Sequence, residues 1–252
     1  MFRRGKIAII PIKGVITTEG APILSLFPWR KVISSTEIIE FLEEVKRKQD
    51  TKAVLVEINS PGGTPFPCKE IAEKIKEIDK PTVAWVREYA TSGAYWVASA
   101  CQKIVADRLS RIGSVGVVSI RPDFSELMRK FGIDVETMAS GIFKTLGSPY
   151  RKIAPEEREV LKQELDTIHK YFLEEISTNR KLKKEAVKEI SSGKIYFGSE
   201  AKDLGLIDYV GGKKEAMELL SKITKLKTYR IVDYNKKMRK PIGLLRKLIG
   251  GL

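Results

Sequence analysis

The chain has 252 residues, 42% of them apolar and 31% charged, enough to bury a sizeable core in one or two domains. Its net charge is +14, but ten Lys and Arg residues against the single acid Asp233 lie between Lys222 and Lys247, so that stretch carries +9 and everything before it +5. A nucleic-acid-binding face spreads its basic residues over a fold with interleaved aromatics, which this distribution argues against. No stretch reaches the roughly 20 apolar residues of a membrane span.

The first residues, MFRRGKIAIIPIKGVI, open with a basic pair, and their short apolar run is interrupted by Pro11 and Lys13. They read as a first strand, KIAIIPIKGVIT, better than as a secretory signal, and give no sign of export. STEIIEFLEEVKRK follows with a good cap and with Ile38, Ile39, Leu42 and Val45 at helical spacing. Then come a buried strand (KAVLVEI), a helix (CKEIAEKIKEI), a strand (PTVAWVRE) and a short buried helix (SGAYWVASA). KIVAD and GSVGVVS predict strands, SELMRKFG a helix and VETMAS a strand. This alternation predicts an α/β fold with a mainly parallel sheet. From Pro155 the pattern turns helical, with Leu161, Leu165, Ile168, Phe172 and Ile176 on one stripe, and two shorter helices follow in KKEAVKEISSG and KEAMELLSKITK. The expected organisation is one domain over residues 1–221, with an α/β core over 6–150 and a helical part over 155–221, then a basic C-terminal strand and tail over 222–252.

Two places invite a chemical reading. LVEINSPGG runs from a strand into Pro61, Gly62 and Gly63, and paired glycines let backbone N–H groups approach a ligand closely. Such groups stabilise an oxyanion in acyl transfer, although a plain Pro-Gly turn explains the same residues. Ser92 follows a strand and opens a helix pattern, as a helix cap does. It also stands where open α/β sheets place ligands, outside the carboxyl ends of the strands. A nucleophile needs a base. The single histidine, His169, lies in the long helix beside Ile168 and reads as solvated. A lysine can serve if its pKa, ordinarily about 10.4, is lowered by burial or nearby positive charge. Composition does not choose among 46 basic residues. Cys68 and Cys101 lack metal-ligand spacing and read as buried reduced thiols, with one disulfide as the alternative.

INSPGG, ATSGAYWVAS, RIGSVGVVS, SGIFKTLGSPYR and EEREVLKQELD, in that order, with SSGKIYFGSEAKDLGLIDYVGG after them, resemble the signal peptide peptidase A family of serine–lysine peptidases. The resemblance covers roughly residues 6–220. It implies that Ser92 is the nucleophile and Lys144 the general base, that Ser114 orients the lysine amine, and that Gly62, Gly63 and Gly93 supply the oxyanion hole. The fold it implies is the Clp protease/crotonase-like spiral of ββα units, with a helical C-terminal part and no cofactor or metal. The chain departs from the family at Ala94, where a glycine is frequent, and at Ile142 and Phe143, where polar or basic residues are frequent. Phe143 suits a desolvated amine on Lys144. Many members carry an N-terminal membrane anchor that is not seen here.

The implied reaction is cleavage of peptides, such as remnant signal peptides or unfolded segments, through an acyl-enzyme. A peptide would add as a strand beside Val115, Gly116 and Val117, and Tyr95, Trp96 and Met138 are candidate pocket residues, although ordinary core packing is the better reading of each. The family forms rings in which one subunit completes a neighbour's site, which implies a homo-oligomer, an octamer. In the basic tail, Ile242, Leu245, Ile249 and Leu252 fall at helical spacing beside Arg246 and Lys247. Peripheral contact with an anionic membrane, a solvated tail and docking on the oligomer all fit that pattern. The location is therefore soluble cytoplasmic or peripheral on a membrane. Two other readings compete with a peptidase: a crotonase-like acyl-CoA enzyme and a non-catalytic peptide-binding scaffold.

Overall fold

A computed structural model describes residues 5–19 and 31–238. The basic tail beyond Met238, including its proposed amphipathic stretch, lies outside the described residues. The chain forms two compact units, residues 1–115 with 173–252 and residues 116–172. The boundaries fall after Val115 and within the long helix, rather than where strand patterns give way to helical ones.

The first unit is built on a largely parallel sheet. Its strands β1 (Gly5–Lys13), β4 (Thr51–Ser60), β5 (Thr82–Thr91) and β6 (Lys103–Ala106) are joined through α1 (Ser35–Arg47), α2 (Pro65–Lys76) and α3 (Gly93–Ser99). The strands β2 (Val15–Thr17) and β3 (Val32–Ser34) pair with each other in a separate two-stranded sheet. Short β7 (Arg111–Gly113) pairs with the end of β5. After α6 (Lys184–Ile190), β8 (Ile195–Phe197) returns antiparallel to β7. The strand β9 (Tyr209–Val210) follows α7 (Gly198–Asp203), and β10 (Tyr229–Asp233), after α8 (Lys213–Thr224), leads into α9 (Asn235–Met238). The main sheet runs β10-β1-β4-β5-β6-β9, with β7 branching from β5.

A strand buried on both faces reads as a continuous apolar run, and β1, β4 and β5 read that way. Ile7, Ile9, Leu55, Val83 and Val105 pack with Ala216, Met217 and Leu220 of α8 on one face. The alternate residues Ala8, Ile10, Val54, Val56, Ala84 and Val86 are buried as well, so both faces are covered. Ser34 caps α1, its hydroxyl accepting from the Glu37 N–H at 3.3 Å. Cys68 and Cys101 are both free and buried.

Three strand expectations change. KIAIIPIKGVIT is two strands, because Gly14 takes a φ of +110° between β1 and β2. Only Gly113 of GSVGVVS belongs to a strand, and VETMAS forms none. Both stretches have strand-like composition, but beyond Gly113 neither forms a strand, and Val118 and Met138 stand exposed. A strand exists only where a neighbour takes its backbone groups. Among its described residues the second unit holds no strand, only α4 (Ser125–Lys130), turns, and the first part of α5 (Pro155–Arg180).

Leu55 is fully buried in the central strand β4. Leu55→Ala is expected to cost about 2–5 kcal/mol, read as a lower midpoint in denaturant unfolding at unchanged slope.

Candidate active site

The site forms where β4 and β5 end side by side. β4 turns at Pro61, and Gly62 adopts φ +103°. The Gly62 carbonyl accepts from Ile16 N–H at 2.9 Å, and the Ile16 carbonyl accepts from Thr64 N–H at 3.1 Å. The Gly62 N–H donates to Ser60 Oγ at 3.1 Å. Of these three successive N–H groups, only that of Gly63 lacks a protein acceptor among the described residues.

β5 ends at Thr91, and Ser92 takes φ 53° and ψ −134°. Such torsions cost a non-glycine residue about 1–3 kcal/mol and occur where surrounding structure enforces them. Three backbone bonds enforce them here. The Ser92 N–H donates to the Gly113 carbonyl at 2.7 Å, and the Ser92 carbonyl accepts from Tyr95 N–H at 2.8 Å and Trp96 N–H at 3.2 Å. The Ser92 side chain makes no capping hydrogen bond to α3. Its hydroxyl is half-buried and left over from the local structure.

Gly62, Gly63, Ser92 and Gly93 meet closely. A Cβ on Gly62 would lie 2.9 Å from Gly93 N, from Ser92 Cβ and from the Thr91 carbonyl oxygen. A Cβ on Gly93 would lie 3.6 Å from Gly63 N and 2.3 Å from Cys68 Sγ. The Gly93 N–H, like that of Gly63, has no protein acceptor among the described residues. Two unpaired N–H groups therefore flank an uncapped serine hydroxyl.

Ser114 belongs to the same neighbourhood. β7 pairs with β5 so that Gly113 is opposite Thr91, which sets Ser114 one residue past the strand end, as Ser92 is. It also has positive φ, at 52°, and its N–H donates to the Lys194 carbonyl at 2.9 Å. Tyr95 does not line a pocket: it is fully buried, and its hydroxyl donates to the Leu206 carbonyl at 2.8 Å. Trp96 and Val115 are buried too, whereas Gly116 and Val117 are half-buried. α3 is buried along its whole length, so its aromatic residues fill the core.

In the second unit, Lys144 sits on the turn running from Gly141 to Gly147, its N–H donating to the Gly141 carbonyl at 3.0 Å. It is exposed, as are Ile142 and Phe143, so these neighbours do not give its amine the apolar cover expected of them. Met138 is exposed, and His169 lies half-buried on α5. The turn borders a cavity of about 480 Å³ lined by Val135, Ser140, Ile142, Thr145 and Tyr150 among others. Arg151 anchors it, donating to Thr145 Oγ1 at 2.8 Å and to the two Glu157 carboxylate oxygens at 2.5 and 2.7 Å. Arg121 adds bonds to the Ser148 and Arg151 carbonyls. The Arg151 guanidinium, helped by the Ala154 N–H, lowers the Glu157 carboxyl from 4.5 to about 2. Motif reading singled out neither this anchor nor the contacts made by Asn59, Ser60 and Cys68. Asn59, Ser60, Thr145, Arg151 and Glu157 lie inside the quoted motifs, which carried no signal of these particular contacts.

The peptidase family S49 model matches residues 74–227. The chain belongs to peptidase family S49. It is 34% identical over 211 residues to Putative protease MJ0651 of Methanocaldococcus jannaschii, covering 83% of this chain and 68% of that protein. It is 32% identical to Putative signal peptide peptidase SppA of Enterococcus faecium, over 91% of this chain and 67% of the relative. Serine protease SPPA, chloroplastic, of Arabidopsis thaliana is 31% identical over 86% of this chain, which spans 32% of that longer protein. This S49 chain is accordingly a peptidase.

Two outcomes follow from these contacts. Gly93→Ala drives a methyl into Cys68 Sγ, so Gly93→Ala with Cys68→Ala is expected to be less destabilised than the two singles sum to, by about 0.5–3 kcal/mol in a double-mutant cycle. The Glu157 carboxyl is lowered on folding, so its contribution is complete above pH 4.5 and is lost as pH falls through about 2. Amide protection over residues 141–151, corrected for intrinsic exchange, is expected to fall across that window in the wild type and to be low and flat in Glu157→Gln.

Proposed function

We propose that the chain is a serine endopeptidase with Ser92 as nucleophile and Lys144 as general base. The observation that carries this reading is Ser92 itself, a residue held in strained torsions with its hydroxyl uncapped, beside the unpaired N–H groups of Gly63 and Gly93. Strain of this kind concentrates at functional sites.

In the proposed reaction the neutral Lys144 amine takes the proton from Ser92 Oγ as that oxygen bonds to the scissile carbonyl carbon. The carbonyl oxygen becomes an oxyanion, received by the Gly63 and Gly93 N–H groups. Lys144 then gives its proton to the leaving amine as the C–N bond breaks. Water repeats both transfers on the acyl-enzyme and releases the acid. Ser114 orients the lysine amine.

The proposed substrates are extended peptides such as remnant signal peptides or unfolded segments, with small or apolar residues at the cleavage point. The segment after β7, which belongs to no strand over residues 114–119, is where such a peptide would add. The proposed assembly is a homo-oligomer, a ring of eight, in which one subunit completes a neighbour's site. The exposure of Val118, Ile120, Phe131 and Met138 in the second unit supports it, since exposed apolar patches mark interaction surfaces. Such a neighbour, or the bound peptide, supplies the cover that Lys144 lacks in the single chain.

Wild type is expected to cleave a fluorogenic peptide pool and an unfolded protein, with Ser92→Ala and Lys144→Ala each slower by at least about a thousandfold. Equal turnover by all three would overturn the dyad.

A further inference from the structure

Ser60 is the last residue of β4 and is fully buried. Its hydroxyl proton is committed to the Gly14 carbonyl at 2.6 Å. That leaves its lone pairs facing the turn, where they accept the Gly62 N–H at 3.1 Å. Gly14 is itself held in place: its N–H donates to the Asn59 carbonyl at 3.2 Å, and a Cβ on it would lie 2.0 Å from the Lys31 carbonyl oxygen. The hydroxyl therefore bridges a fixed point on the β1–β2 corner to the second residue of the Pro-Gly-Gly turn.

The consequence falls on Gly63. The turn presents three consecutive N–H groups, those of Gly62, Gly63 and Thr64. Thr64 is bound by the Ile16 carbonyl and Gly62 by Ser60 Oγ, so the Gly63 N–H alone is left for a ligand. The peptide that carries the Gly63 N–H is held at its own carbonyl, which accepts from the Ile16 N–H at 2.9 Å, and the peptide before it is held through the Gly62 N–H on Ser60 Oγ. The two meet at Gly62, at φ +103°, and the hydroxyl is the side-chain acceptor that opposes rotation of the first.

We infer that Ser60 is a positioning residue, whose buried hydroxyl takes the Gly62 N–H and thereby aims the Gly63 N–H at the oxyanion. The inference rests on the proposed role of Ser92 as nucleophile. It assigns Ser60 no contact with substrate.

The test compares wild type, Ser60→Ala, Ser60→Cys and Ser92→Ala. The readouts are kcat and KM on one fluorogenic peptide, inhibition by a peptide boronate, and thermal midpoints that fix a temperature at which every variant is folded. The boronate accepts Ser92 Oγ at boron, and the tetrahedral adduct places an oxygen where the oxyanion sits. Ser60→Ala is expected to lower kcat about 10–100-fold, the scale of a misplaced reacting group. KM should stay within about twofold, because ground-state binding does not use the oxyanion, and boronate affinity should weaken by the same factor as kcat. Ser60→Cys keeps the size with a weaker acceptor and should fall between; it carries the comparison alone if Ser60→Ala does not fold. A folded Ser60 variant with kcat and boronate affinity within about twofold of wild type overturns the inference. If Ser92→Ala retains wild-type turnover, or the boronate leaves wild type uninhibited, the serine reading fails and Ser60 with it. An inactive Ser92→Ala beside a fully active Ser60→Ala removes the Ser60 role alone.

Discussion

There is no room for a side chain between the turn that ends β4 and the corner that ends β5. A Cβ on Gly63 would lie 1.9 Å from the Ile16 carbonyl oxygen, one on Gly62 2.9 Å from Ser92 Cβ, and one on Gly93 2.3 Å from Cys68 Sγ. Glycines at these three positions let the β4 turn lie against Ile16 of β2 and against Ser92, and let α3 start against Cys68 of α2. The approach is steric in origin, but its result is electrostatic: the unpaired N–H groups of Gly63 and Gly93 lie near the Ser92 corner. Donors held in advance need no reorganisation when charge develops.

The sheet supports that approach through its register. Ile58 is opposite Val86 and Ser60 opposite Ala90, so β5 advances four residues while β4 advances two. Asn59 Oδ1 accepts from both Glu88 and Tyr89 N–H at 3.2 Å inside this irregularity. On the far side Ser110 Oγ donates to the Arg87 carbonyl at 2.5 Å. The bulged stretch is thereby held from both neighbours, and the residues following it arrive at Ser92 in a defined orientation. The buried apolar sheet of the first unit, with α8 on one face, is the reservoir that tolerates about 1–3 kcal/mol of torsional strain at Ser92.

The second unit is built differently. Its lysine turn is held by ionic and polar contacts, Arg151 to Glu157 and Thr145 and Arg121 to two carbonyls, rather than by a ladder. Much of its large apolar surface is exposed in the single chain. Ser92 follows a sheet strand and Lys144 lies on a polar-anchored turn, so in the proposed dyad the rigidity of the nucleophile is separate from the setting of the base. The oligomer proposed above acts on the second of these.

The α/β alternation was legible because buried parallel strands read as unbroken apolar runs and the helices between them carry the 3.6-residue period. Family membership was legible too, because the motifs are runs of small residues whose order survives without coordinates. What sequence left open was geometric. GSVGVVS and VETMAS have strand composition, yet pairing depends on a neighbour that only the folded chain supplies, and beyond Gly113 neither stretch forms a strand. Tyr95 was a pocket candidate that read better as core, and its buried hydroxyl on the Leu206 carbonyl places it there. Whether Ser92 caps its helix is a matter of torsion, decided by φ 53° and by one bond to the Gly113 carbonyl on a strand some twenty residues away. Which N–H of the turn is free is decided by contacts from Ser60 Oγ and from the Ile16 backbone. Residue types and their order determined the family and the candidate groups; the directions in which backbone N–H groups point depend on long-range contacts, and those existed only once the tertiary structure had formed.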